Sequence, residues 1–189
     1  FHVSSQRNFQ KMRKIKNIPN ILLNNGMSQP LVGYGTYKVG YVPPSASGSK
    51  GVAKGKADDA ENIVRDALVS GYRFLDCAQF YGNEAAVGRA IERSKISRSK
   101  LFLASKIWCD NIYKGPEAIR EQVKRTCKDL KTTYLDLYLI HWPVPGKHVQ
   151  AYKTLEKLVD EGMIRSIGFS NYTIEDYEED SDYRKNWSN

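Results

Sequence analysis

The stretch Gly71-Tyr72-Arg73-Phe74-Leu75-Asp76-Cys77-Ala78, running on through Tyr81-Gly82-Asn83-Glu84 to Val87-Gly88, decides the reading of this chain. It places an acid at the end of a short apolar strand, then a tyrosine, then the start of a helix near Asn83. Three later segments have the same design: Leu101 to Trp108 with Ser105-Lys106, Asp136 to Pro143 with His141, and Ile164 to Asn171. Each is an apolar run that ends in residues able to move or steer a proton. A carboxylate, a phenol, an ammonium and an imidazole at strand ends are the parts of a proton-delivering site.

Helical patterns separate these strands. Asp58-Asp59 open a helix in which Ala60, Ile63, Val64, Ala67 and Leu68 recur at helical spacing, and Gly71 stops it. Strand 72–76 follows, then a helix over 83–92 and strand 101–105. Gly115-Pro116-Glu117 begins the next helix, with Ile119, Val123, Cys127 and Leu130 on one face. Strand 134–140, a helix carrying Tyr152, Leu155, Leu158 and Val159, and strand 164–169 complete the series. Strict alternation of strand and helix predicts a parallel sheet with right-handed crossovers. No G-x-G-x-x-G runs from a strand into a helix, so a barrel is favoured over a dinucleotide-binding sheet. Upstream, Asn25-Gly26 between apolar residues predicts a hairpin with positive φ at both turn positions. Leu31 to Tyr37 reads as a further strand, and residues 40–57 as a mobile loop.

A chain of 189 residues, 41% hydrophobic and 26% charged, has the composition of one globular domain. No apolar run approaches the length of a membrane span. The three cysteines, Cys77, Cys109 and Cys127, are odd in number and lack metal-ligand spacing. No metal site is expected, and free thiols point to a reducing, cytoplasmic location. The formal charge of +8 is concentrated partly at Arg7, Lys11, Arg13, Lys14 and Lys16, in a leader over 1–17. That leader reads as a solvated disordered tail, with an organelle transit remnant as the competing reading. No aromatic-interleaved basic motif speaks for nucleic acid.

Together these segments, over residues 18–177, resemble the aldo-keto reductase family of NADPH-dependent oxidoreductases, whose fold is the (β/α)₈ barrel. Gly71 to Gly88 follows the family's first signature, including the Asp76-x₄-Tyr81 spacing and Glu84. Leu103-Ala104-Ser105-Lys106, Asp136 to Pro143 and Ser166-Ile167-Gly168-Phe169-Ser170-Asn171 match later segments in order. The resemblance implies reduction of small aldehydes or ketones to alcohols. It makes Tyr81 the general acid, Lys106 the cation that lowers the phenol's pKa, Asp76 the group that orients Lys106, and His141 the donor to the carbonyl oxygen. It puts Tyr37, Trp108, His141 and Trp142 around the substrate, and Gly35, Thr36, Tyr37, Asp76, Ser170 and Asn171 around NADPH. Taken singly, Asp76 and Lys106 read as a structural ion pair, Tyr81 as a half-buried aromatic and His141 as a satisfied core histidine.

Beyond Tyr177 the family pattern stops, and residues 178–189 read as a disordered tail without the three further strand–helix units of the family. The expectation is therefore a C-terminally truncated, partial barrel of about five β/α units, preceded by a hairpin and open at two edges. The alternative to an enzyme is an impaired family member acting as a non-enzymatic binding or regulatory subunit.

Overall fold

The computed structural model describes residue 15 and residues 18–40 and 57–178. The expected leader (Ile15 apart), the loop over 41–56 and the tail over 179–189 lie outside the described residues.

Strands β1 (Asn20–Leu22) and β2 (Ser28–Pro30) form an antiparallel hairpin with Ile21 opposite Gln29. Its turn differs from the expected one. Gly26 has φ +79°, but Asn25 keeps a negative φ. Gly26 N donates to Leu23 O at 2.9 Å and Leu23 N to Met27 O at 2.8 Å, closing a three-residue loop in which only Gly26 is left-handed. Asn25 is engaged elsewhere. Its Oδ1 accepts from Met27 N, and its Nδ2 donates to Arg165 O at 3.0 Å and Ser166 Oγ at 2.7 Å.

Five parallel strands follow: β3 (Tyr34–Gly35), β4 (Phe74–Asp76), β5 (Phe102–Ile107), β6 (Leu137–Ile140) and β7 (Ile167–Phe169). They lie side by side in chain order, without the reversal that marks a doubly wound sheet. The arrangement is five strands of a (β/α)₈ barrel. Among the described residues, β3 and β7 each pair along one side only. The crossovers are α1 (Ala57–Ser70), α2 (Glu84–Ser94), α3 (Cys109–Lys114) with α4 (Pro116–Asp129), and α5 (His148–Asp160). Strands begin later than the apolar runs suggest, because the first residues of those runs serve as loop or isolated bridge, as in Leu135 opposite Ile164. Helix α3 was not foreseen: six residues are too few to show a period, and Gly115 at φ +95° turns the chain into α4.

The core lies between sheet and helices. Leu75, Leu103, Ile107, Tyr138 and Ile140 from the strands meet Val64, Leu68, Val87, Ile119, Val123 and Leu155 from the helices. Ile63, expected on the buried face of α1, is 42% exposed, and Glu61 takes the inner position instead. The Glu61 carboxylate bridges Arg89 and Arg93 of α2 at 2.7 and 2.6 Å. At the lower end of the sheet Asp136 accepts from Leu103 N and from Arg98, and Arg98 and Arg165 stack on the two sides of the Tyr134 ring, each at 3.9 Å. Among the described residues no helix is long and apolar enough to cross a membrane.

Helices α2 and α4 touch through backbone at Gly88, where an added Cβ would overlap the Asp129 carbonyl oxygen. Gly88→Ala is expected to cost about 1–3 kcal/mol in urea unfolding, or to prevent folding. Gly35→Ala, whose methyl would meet nothing within 4 Å among the described residues, should stay within about 0.5 kcal/mol of the parent. Equal stabilities for the two variants would contradict the close helix approach.

Candidate active site

Strand β4 ends at Asp76, and the chain passes through Cys77-Ala78 into a 3-10 turn, Gln79–Tyr81. Gly82, left-handed at φ +67°, ends that turn and delivers the chain to α2. Two carboxamides brace it. Gln79 Oε1 accepts from Trp108 N at 2.8 Å, and Asn83 Nδ2 donates to the carbonyls of Thr36 and Val39, each at 2.9 Å.

Lys106, near the end of β5, points into the space above this turn. Its Nζ donates to Asp76 Oδ1 at 2.5 Å, Cys77 O at 3.0 Å and Tyr81 Oη at 3.3 Å. His141 follows β6, held by its backbone: N donates to Ile107 O at 3.2 Å, and O accepts from Asn171 Nδ2 at 2.8 Å. Its ring stands edge-on to Tyr81, Trp108 and Phe80, with centroids 5.6, 5.2 and 6.3 Å away. Burial among these rings, with Lys106 nearby, lowers its pKa to about 4, so the imidazole is neutral at physiological pH. Its buried Nδ1 has no hydrogen-bond partner among the described residues.

A cavity of about 580 Å³ opens over these groups. Of the residues expected at the site, Tyr37, Asp76, Tyr81, Lys106, Trp108, His141, Trp142, Ser170 and Asn171 all border it. Gly35 and Thr36 do not. Thr36 is fully buried, with both N and Oγ1 donating to Asp76 O at 3.0 Å, so it anchors the end of β4 from behind. Phe80 also lines the cavity, stacked on Trp108 at 4.0 Å, and sequence reading missed it. The available signal was its place next to Tyr81 in the seven-residue connection between β4 and α2.

One electrostatic expectation is corrected. The Tyr81 phenol titrates above its ordinary value, because burial outweighs the lowering by the charge and hydrogen bond of Lys106. Behind the sheet lies a second ionisable group. Glu84 Oε1 accepts from Ser105 Oγ at 2.6 Å and Oε2 from Thr126 Oγ1 at 3.1 Å. Burial pushes this carboxyl up to about 7, against the lowering by the two hydroxyls. The thiol of Cys77 is fully buried and pushed well up, which makes it an inert core group. Cys109 and Cys127 are also free, and the described residues contain no His/Cys/Asp/Glu cluster able to hold a metal.

The sequence pattern described as the Aldo/keto reductase family matches residues 32–186. The chain belongs to the aldo/keto reductase family. It is 40% identical over 159 residues to an aldo-keto reductase of Mycobacterium sp. (strain KMS), covering 83% of this chain and 51% of that protein. The crystal structure of an aldo/keto reductase from Brucella melitensis superposes with a TM-score of 0.74 at 36% identity, covering 87% of this chain and 58% of that one. A Bombyx mori aldo-keto reductase solved in complex with NADP gives 0.67 at 27% identity, covering 80% and 50%. This aldo/keto reductase chain spans about half the length of the curated relatives it matches.

Glu84 gives this family member a distinct pH signature. Its folded pKa, about 7, lies above the ordinary 4.5, so the folded state holds a proton that the unfolded chain releases. The associated stability is complete below pH 4.5 and is lost as pH rises through 7. The loss amounts to roughly 3 kcal/mol at alkaline pH. Glu84→Gln cannot ionise. Compared with the parent in thermal or urea unfolding, it should be similar near pH 5 and gain stability toward pH 8.5. A constant difference across that range would show that Glu84 does not titrate there.

Proposed function

We propose that this chain carries the acid–base machinery of an NADPH-dependent carbonyl reductase, in which small aldehydes or ketones become alcohols, and that residues 18–177 are its barrel portion. The observation that carries the reading is the single ammonium, Lys106 Nζ, lying within hydrogen-bond reach of both Asp76 and Tyr81. A neutral histidine stands beside them in one cavity.

Tyr81 is the proton donor. Its raised pKa keeps the phenol protonated at neutral pH, so it holds the proton it must give. As that proton leaves, the phenolate forms beside the Lys106 ammonium, which stabilises it, while Asp76 fixes the direction of the amine. His141, neutral and wedged by three aromatic rings, donates one N–H toward the carbonyl oxygen and orients it. Tyr37, Trp108 and Trp142, together with Phe80, form an apolar mouth that excludes water.

The cavity also fits the cofactor. Its volume lies in the range of about 300–1,000 Å³ usual for small-molecule sites. Aromatic rings line it together with the polar strand ends of Asp76, Ser170 and Asn171, which suits a planar ring bearing a carboxamide. Asp76, Ser170 and Asn171 would hold the nicotinamide end. Gly35, Thr36 and Tyr37 belong to the same set by family resemblance, with Thr36 acting through Asp76. NADPH, when bound, supplies the hydride. The free thiols Cys77, Cys109 and Cys127 support a cytoplasmic location, where thiols stay reduced.

Cofactor fluorescence titration and aldehyde-dependent NADPH oxidation test this reading. Parent and Tyr81→Phe should bind NADPH alike, while turnover falls by about 10²-fold or more in the variant. Absence of NADPH binding at millimolar concentration would overturn the enzyme reading for this chain and leave the non-enzymatic binding or regulatory subunit. Unchanged turnover in Tyr81→Phe would remove Tyr81 as the donor.

A further inference from the structure

Glu84 plays no part in the chemistry above, yet its contacts join the two segments that carry it. Tyr81 lies three residues before Glu84, on a turn that leads straight into α2. Lys106 is the residue after Ser105 on β5, and successive strand residues point to opposite faces. Lys106 thus faces the cavity, and Ser105 faces the helices, where its Oγ donates to Glu84 Oε1 at 2.6 Å. The other carboxyl oxygen takes the Thr126 hydroxyl of α4, which is itself backed by Gln122 Nε2 at 3.2 Å. One 6%-exposed carboxyl group therefore connects the turn of Tyr81, the strand of Lys106 and the helix behind them.

We propose that Glu84 is a positioning residue: it ties the Tyr81 turn to the Lys106 strand from the far side of the sheet and thereby sets the Tyr81 Oη–Lys106 Nζ separation. One other side-chain bond ties the turn to this side of the sheet: Gln79 Oε1 accepts from Trp108 N, just past β5, and holds the start of the turn rather than its exit into α2. Behind the turn, Asn83 fastens the chain toward the residues after β3, through the carbonyls of Thr36 and Val39. On the β5 side, the Lys106–Tyr81 contact is the longest of the three that Nζ makes, at 3.3 Å. Without the Glu84–Ser105 link, no side-chain hydrogen bond among the described residues joins α2 to β5, and packing does not fix a polar distance as a directional bond does. The charged and titratable groups that face Glu84 are Arg125 and Asp129 of α4. Cys77 after β4, Cys127 of α4 and Tyr138 of β6 also feel its charge. Among the described residues, the side-chain hydrogen bond to Tyr81 Oη comes from Lys106 and from none of these groups.

The inference deepens the reading of Tyr81 and Lys106 as a working pair, but its test needs neither cofactor nor turnover. The chain is labelled with ¹³C at tyrosine Cζ, and the Tyr81 resonance is assigned by its loss in Tyr81→Phe. The phenol is then titrated in the parent and in Lys106→Met, which gives the full upward shift of the midpoint when the cation is removed. Glu84→Ala should reproduce a measurable part of that upward shift, and Glu84→Gln, which keeps an acceptor for Ser105, should restore the parent midpoint. An unshifted midpoint in a folded Glu84→Ala chain overturns the proposal, and so does a shift of equal size in Glu84→Gln. If Glu84→Ala does not fold by circular dichroism, Ser105→Ala cuts the same link from the strand side. It should raise the Tyr81 midpoint, and a parent-like value there overturns the proposal. Loss of stability alone, with the midpoint unmoved, marks a merely structural role. Failure of NADPH binding would sink the reductase reading while leaving this titration readable.

Discussion

An ammonium group removed from water must find oxygen partners, and Lys106 takes all three of its own from residues 76 to 81. That requirement constrains much of the surrounding architecture. Strand β4 must run parallel to β5 in the register that sets Asp76 beside Ala104, or the carboxylate falls out of reach. The connection after β4 must curl back on itself within five residues, which it does as a 3-10 turn closed by a left-handed glycine. The Cys77 carbonyl must turn away from the sheet ladder while Cys77 N still donates to Ala104 O. A one-residue slip of β4 would point Leu75 or Cys77 at the ammonium and leave a buried charge uncompensated, a penalty of several kcal/mol.

Why the sequence revealed as much as it did follows from the same geometry. Parallel strands buried on both faces show as apolar runs, and the residue that ends such a run stands at the rim of the sheet. Asp76, Lys106, His141 and Asn171 therefore announce their common end before any coordinates exist. The helices were legible where a long amphipathic face exists, as in α4 with Ile119, Val123 and Cys127 buried. Period counting fails over six residues, which hid α3, and it cannot tell Ile63 from Glu61 when an inward carboxylate finds two arginines.

Other features were closed to sequence reading because they depend on three-dimensional competition. Tyr81 was expected to be more acidic, but the same enclosure that brings Lys106 close also strips water from the phenol, and the second effect is larger. Asn25 was expected to adopt a left-handed turn, but its carboxamide is drawn to a strand far along the chain, and a three-residue loop with Gly26 alone left-handed results. Phe80 becomes visible as a wall of the cavity only when the 3-10 turn lays its ring on Trp108. The family resemblance sets Thr36 beside the cofactor, yet its hydroxyl turns inward to the Asp76 carbonyl. Family membership and barrel architecture thus come from strand-end chemistry, whereas protonation and pocket shape come from burial.

The clasp made by Asn25 has a kinetic meaning. It joins positions 140 and 141 residues apart, so the closure entropy of the intervening chain opposes its bonds until the sheet has brought the two ends together. A short two-stranded ribbon has little stability by itself, and this one gains a firm seat only when Arg165 and Ser166 arrive. Amide protection in β1 and β2 should therefore report on events at the opposite end of the sheet: the hairpin that precedes the parallel strands is among the last pieces to lock.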